Sequence, residues 1–263
     1  MNEWEWNLLE DRTPVDSVKV GGVDLKTGAV VRLKPRSGGD IMDLALAGKI
    51  ASIEAAEQDY DGHVHLAVVV DDDPGRDLGL LRQSGHRFFF APEEVEPLPR
   101  ILIAGIGNIF FGDDAFGVEV AQRLSRRGLP GNVRVGDFGI RGFDLACALL
   151  DGPDVSILVD ACPRGSAPGS LHVIEPDLSG QDGGEPALEP HGLNPMNVLR
   201  LAKSMDGRLC RILIVGCEPA TLGGDDGYMG LSEPVEAAVG DAVHVIEALV
   251  ADLMRNQRSA CVE

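Results

Sequence analysis

Two adjacent carboxylates, Asp113 and Asp114, lie near the end of ILIAGIGNIFFGDDAFG, a stretch that runs from an apolar strand through a glycine-bearing loop to a helix start. Such a loop would repel a phosphate but accept a cation or a polarised peptide. Two later junctions carry single polar groups: Asp160 ends ILVD, and His191 stands in EPHGLNP. An ionised carboxylate at the end of so apolar a strand needs a partner or a cation to offset its lost hydration. Three groups of this kind can converge at one edge of a parallel sheet. Asp114, Asp160 and His191 would then give a divalent ion such as Ni²⁺ or Zn²⁺ three ligands and leave positions open for a substrate.

Other readings of these residues compete with that one. Asp at a first turn can simply cap a helix, a role that suits Asp113, but a second adjacent Asp is superfluous for capping and must point elsewhere. Gly105, Gly107 and Gly112 imitate a dinucleotide loop, yet the third glycine follows the second by five residues where the fingerprint requires three. Asp137 at the end of NVRVGD could imitate a ribose-binding acid, which keeps nucleotide binding at residues 105–112 as a weaker alternative. His63 and His65 share one face of a strand and could grip a metal, but nothing near them in sequence completes a site. The run Asp71-Asp72-Asp73-Pro74-Gly75 lacks the spaced ligands and terminal glutamate of a calcium loop and reads as an acidic turn. The five cysteines are odd in number and form no C-x-x-C pair, so neither a disulfide framework nor a cysteine zinc cage is expected.

The elements that must position these groups fall into two regions. APEEVEPLPR, residues 91–100, carries three prolines that discourage regular structure, so a domain boundary is expected between residues 1–98 and 99–263. Before it, GAVVRLKP, KIASIEAAEQ, HVHLAVVVDDD and FFFAP read as strands, with Asp61-Gly62 as a hairpin turn and a short helix near residues 40–47. A small SH3-like β-barrel is expected there. After the boundary, strands ILIAG, NVRVG, VSILVD, LHVIEP and RILIVG alternate with helices at about residues 115–127, 142–150, 195–204 and 232–254. That alternation predicts an α/β three-layer sandwich around a mostly parallel sheet. Val235, Val239, Val243, Ile246, Leu249 and Leu253 form a stripe on the last helix that should pack on the sheet. DLSGQDGGEPALEP, before His191, reads as a lid, a docking loop or a plain surface insertion.

Composition narrows the classes of partner. The formal net charge of −19 opposes the counterion release that drives nucleic-acid binding, and no basic block occurs. With 44% hydrophobic and 25% charged residues, the chain reads as a globular protein with no apolar run long enough to span a membrane. MNEWEWNLLEDRTP is acidic and lacks the apolar core of a signal peptide, which predicts a cytoplasmic protein.

Residues of about 100–250 resemble the hydrogenase maturation proteases, nickel-dependent endopeptidases that trim the C-terminal extension of the NiFe hydrogenase large subunit. The resemblance rests on GIGNIFFGDDAFG, DFGIRG from Asp137, ILVDA, HGLNP from His191, and GCEPATL followed by GLSEPVEAAV. It implies a peptidase in which Asp114, Asp160 and His191 hold the metal and carry catalysis, and in which Asp137, Gly139 and Gly142 contact the substrate. It further implies that nickel arrives with the large-subunit precursor, an isolated site taking another divalent ion such as Zn²⁺. Where the family usually has Asp-Asp-Gly or Asp-Glu-Gly, this chain has Asp113-Asp114-Ala115, so a somewhat different helix start is expected. The first hundred residues lie outside the usual family core and read as a module for binding a partner or shaping a dimer. A non-catalytic metal or maturation chaperone on the same fold is the competing expectation.

Overall fold

A computed structural model of the chain describes residues 13–36, 41–83, 85–177, 195–205, 209, 211–223 and 229–255. These fall into two units, Met1–Leu98 with Pro130–Asn132, and Pro99–Leu129 with Val133–Glu263. No helix among the described residues is long and apolar enough to cross a membrane.

The first unit is built from β1 (Thr13–Val15), β2 (Val18–Val20), β3 (Val23–Leu25), β4 (Val30–Leu33), α1 (Ile41–Leu46), β5 (Ile50–Gln58), β6 (Val64–Val70), α2 (Arg76–Leu80), β7 (Phe88–Phe90) and β8 (Val95–Leu98). Its antiparallel sheet has the order β7-β6-β5-β4-β8, with β1 also on β5 and β2-β3 as a separate hairpin. No pairing of β7 with β8 that would close the expected barrel occurs among the described strands. β5 shows how the sequence selects its inner face. Ala51 and Ile53 point into the core, a bulge between Ile53 and Ala55 shifts the phase, and Ala56 is the next residue inward. On the other side Glu54 and Glu57 accept from Arg87 Nη2 at 2.6 and 2.5 Å. The prolines of residues 91–100 do not prevent a strand: among the described strands β8 pairs only with β4, and an edge strand tolerates Pro97 because one side of its backbone needs no donor.

The second unit contains β9 (Ile101–Ile106), a 3₁₀ turn (Gly112–Ala115), α3 (Phe116–Ser125), β10 (Val133–Gly139), α4 (Gly142–Leu150), β11 (Val155–Ala161), β12 (Leu171–Ile174), α5 (Pro195–Ser204), β13 (Arg211–Cys217) and α6 (Glu233–Arg255). The sheet order is β10-β9-β11-β13-β12, parallel except for β12. β9 is buried along its whole length, as a strand covered on both faces must be. Its alternate residues divide between two cores. Ile101 and Ile103 pack with α3 and α6, while Leu102, Ala104 and Ile106 pack with α4 and α5. This arrangement is a three-layer α/β sandwich. In the stripe on α6, Val235, Val239, Val243 and Ile246 are buried, and Leu249 and Leu253 pack against them partly exposed.

Two glycines set how closely α3 lies on the sheet. A Cβ at Gly105 would stand 2.2 Å from the Gly117 carbonyl oxygen, and one at Gly117 would stand 2.1 Å from that of Val159. Gly105, one of the glycines that imitate a nucleotide loop, therefore serves helix-on-sheet contact here.

Candidate active site

From β9 the chain builds β10 on one side and then crosses to β11 on the other, so the strand ends of β9 and β11 flank a topological switch point. Asp114 lies in the 3₁₀ turn just after β9. Asp160 lies at the end of β11, one residue beyond the Val159 that pairs with Gly105. Asp114 Oδ2 accepts from the backbone N of Asn108 at 2.7 Å, and Asp160 Oδ1 from that of Ala161 at 2.9 Å. No further hydrogen bond among the described residues occupies the second oxygen of either carboxylate.

Burial pushes the Asp114 carboxyl up from its ordinary value, against the hydrogen bond from Asn108. Asp160 is driven well above the usual carboxylate range, first by burial and then by the charge of Asp114. No described Lys or Arg acts to offset the pair. A buried carboxylate beside a half-buried one, each with a free oxygen and with no described Lys or Arg against them, suits a hard or borderline divalent ion, and the donor set therefore fits the metal expected from the sequence. His191, the third expected ligand, lies outside the described residues, as does most of the loop before it. Among the described residues no cluster of three His, Cys, Asp or Glu side chains able to hold a metal occurs.

Asp113 does not cap its own helix. It is fully buried, and its Oδ2 accepts from the backbone N of Ala220 at 2.8 Å, the backbone N of Thr221 at 3.0 Å and Ser232 Oγ at 2.9 Å. Oδ1 accepts from the backbone N of Ser232 at 2.6 Å. Burial alone would raise this carboxyl, but the four donors hold it below its ordinary value. Adjacent acids in one turn thus separate into a strut and a site group. The alanine after them causes no distortion: Ala115 has φ −68° and ψ −7°, ordinary right-handed backbone that needs no glycine.

Glu218 is a second strut that sequence reasoning missed. It is buried just past β13 and accepts from the backbone N of Arg164 at 2.8 Å and of Gly165 at 3.0 Å, fixing the loop that follows Asp160. The available signal was a lone carboxylate after the apolar strand RILIVGC, the same signal that picked out Asp160. Beside the pair, burial and the charge of Asp160 push the Cys162 thiol up to about 12, which keeps it protonated.

Of the expected substrate contacts, Asp137 is exposed at a bulge in β10, where Gln122 Nε2 donates to it at 3.4 Å. Gly139 has φ +52°, and its carbonyl accepts from the backbone N of Gly107 at 3.1 Å, tying the β10 loop to the β9 loop. Gly142 opens α4. In the first unit, His65 Nε2 meets Asp59 Oδ2 at 2.9 Å and His63 Nδ1 lies 3.6 Å from the same carboxylate, so both histidines face a local acid. In the acidic turn, Asp72 pairs with Lys49, and Asp73 accepts from the backbone N of Gly75 and pairs with His86.

Fold and site together define an α/β protein with an acid-lined centre at its switch point, an arrangement suited to metal-assisted hydrolysis. The family model for hydrogenase maturation protease matches residues 118–249, all but Pro130–Asn132 of them in the second unit. The hydrogenase expression/formation protein HupM of Azotobacter chroococcum mcd 1 is 34% identical over 155 residues, 59% of this chain and 73% of that protein. HupD of Rhizobium leguminosarum bv. viciae is 32% identical over 157 residues, 58% of this chain and 76% of that one. The hydrogenase 2 maturation protease of Escherichia coli K12 is 30% identical over 156 residues, 57% of this chain and 89% of that one. This chain belongs to the hydrogenase maturation protease family, and its class is that of a peptidase.

Proposed function

We propose that the chain is a nickel-dependent endopeptidase that removes the C-terminal extension of a NiFe hydrogenase large-subunit precursor in the cytoplasm. The observation that carries this reading is the uncompensated pair at the switch point, half-buried Asp114 beside buried Asp160. Nickel borne by the precursor is part of the substrate, and Asp114, Asp160 and His191 are the groups that would hold it. A divalent ion held there supplies Lewis acidity and a template for the scissile peptide.

The chain's own residues hold a proton and orient the pair. Burial and the neighbouring charge favour a proton on Asp160 until a cation displaces it. The amides of Asn108 and Ala161 fix which oxygen of each carboxylate faces inward to the protein. Asp137 and Gly139 at the end of β10 and Gly142 at the start of α4 are the contacts for the incoming chain. The first unit, an antiparallel sheet that lies outside the family match, is assigned to partner binding or dimer formation.

The test is incubation of the purified chain with nickel-loaded and nickel-free precursor, followed by mass spectrometry. Shortening of the loaded precursor alone is expected. Equal cutting of both refutes the nickel requirement, and a stable complex with no change in mass replaces the protease reading with a maturation chaperone.

A further inference from the structure

Exposed apolar side chains are ordinary when scattered singly, and informative when they gather on connected loops. In the second unit Ile109 and Phe110 are 43% and 56% exposed on the loop after β9, and Ile140 and Phe143 are 61% and 62% exposed after β10. Leu222 is 42% exposed after β13. All three segments follow the C-terminal ends of the parallel strands β9, β10 and β13, the edge of the sheet at which Asp160 ends β11.

Hydrogen bonds join these loops into one rim. Gly107 N donates to the Gly139 carbonyl at 3.1 Å, linking the first loop to the second. Asp113 N donates to the Thr221 carbonyl at 3.2 Å and the Asp113 carboxylate receives the amides of Ala220 and Thr221, linking the first to the third. Asn108 Oδ1 accepts from the backbone N of Phe110 at 3.0 Å, which fixes the tip. Apolar groups held out by a bonded backbone lose little freedom when a partner covers them.

We infer that Ile109, Phe110, Ile140, Phe143 and Leu222 form a collar that seats an uncharged, apolar segment of the substrate polypeptide beside Asp114 and Asp160. This rests on the reading of that pair as the reaction centre. The collar shares the sheet edge that carries the pair, so a second copy of the chain or a lipid surface held there would compete with the peptide that must be cut. Charge argues the same way. Asp137 and Asp144 are exposed on the rim, and Arg141 between them is engaged with the carbonyls of Asp137 and Phe138 and lies 3.7 Å from Asp144. An acidic segment would meet the like charge of Asp137 and Asp144 there.

The test is calorimetric binding of the hydrogenase large-subunit precursor to the full chain and to its Phe110→Ser/Phe143→Ser variant. Both side chains are exposed, so the thermal midpoint should stay within about 2 °C of the unsubstituted chain, the range of surface substitutions. The dissociation constant should rise at least tenfold, and Phe110→Leu/Phe143→Leu should largely restore it. Unchanged affinity in the Ser variant overturns the collar, as does failure of the unsubstituted chain to bind. Concentration-dependent dimerisation that the Ser variant abolishes also overturns it, in favour of a second copy. Binding without cutting by the unsubstituted chain would sink the protease reading and leave the collar standing. Cutting with an unaltered KM in the Ser variant would do the reverse.

Discussion

Gly107→Ala is the most informative single change, because the structure fixes what the added methyl would meet. Gly107 has φ +130°, and a Cβ there would stand 1.7 Å from the Asp114 carbonyl oxygen and 2.9 Å from its carbon. Ordinary contact begins at 3.4 Å, so the turn bearing Asp114 would have to retreat by more than an ångström. Backbone strain of about 1–3 kcal/mol for a side chain at this φ adds to about 1–3 kcal/mol for overpacking. The sum, about 2–6 kcal/mol, corresponds to a midpoint lowered by roughly 5–20 °C in a domain of this size. A reacting group displaced by about 1 Å costs on the order of a hundredfold in rate. Differential scanning calorimetry and a precursor-cleavage time course measure the two effects. A variant that melts and cuts like the unsubstituted chain would refute the close approach of the two backbones, and with it the placement of Asp114.

Three further outcomes follow from the buried acids and their neighbour. Asp160→Asn should stabilise the fold at neutral pH: the native carboxyl titrates above its unfolded value of about 4, so the native chain binds the extra proton and loses stability as pH rises through that window. The advantage of the Asn variant should vanish in thermal melts near pH 4, and a variant less stable than its parent at pH 7 would show that the carboxylate is compensated. Asp113 has the opposite sign, since its four donors lower it and its stabilisation is lost as pH falls below about 4. Asp113→Ala should cost about 2–4 kcal/mol by denaturant titration, from donors left without their charged acceptor, and a loss under about 0.5 kcal/mol would contradict the strut. Cys162, with its thiol pushed up to about 12, should resist iodoacetamide at pH 8 in the folded chain, and rapid alkylation seen by peptide mapping would contradict its half-buried placement beside Asp160.

Much of the fold is legible because local signals and tertiary structure agree. Gly142–Leu150 and Pro195–Ser204 are helices at the residues that the apolar spacing indicates. The Asp61-Gly62 turn between β5 and β6 forms with Gly62 at φ +85°, as its dipeptide suggests. Strand β8 was not legible, because whether Pro97 is tolerated depends on its lying at a sheet edge, which sequence does not reveal. The acids follow the same rule. A carboxylate after an apolar strand marks Asp160 for attention, but its need for a partner is known only once the neighbours are placed. Asp113 and Asp114 are chemically identical neighbours. What separates them is a set of donors 107 to 119 residues away, and Glu218 is satisfied by amides 53 and 54 residues distant.

The central claim is that the uncompensated acid pair at the switch point is where the precursor is cut. The direct measurement is a single-turnover reaction of Asp160→Asn with nickel-loaded precursor, followed by intact-mass spectrometry. The predicted result is a folded variant that leaves the precursor at full length over a period in which the unsubstituted chain converts it completely. Cleavage at an undiminished rate would contradict the claim.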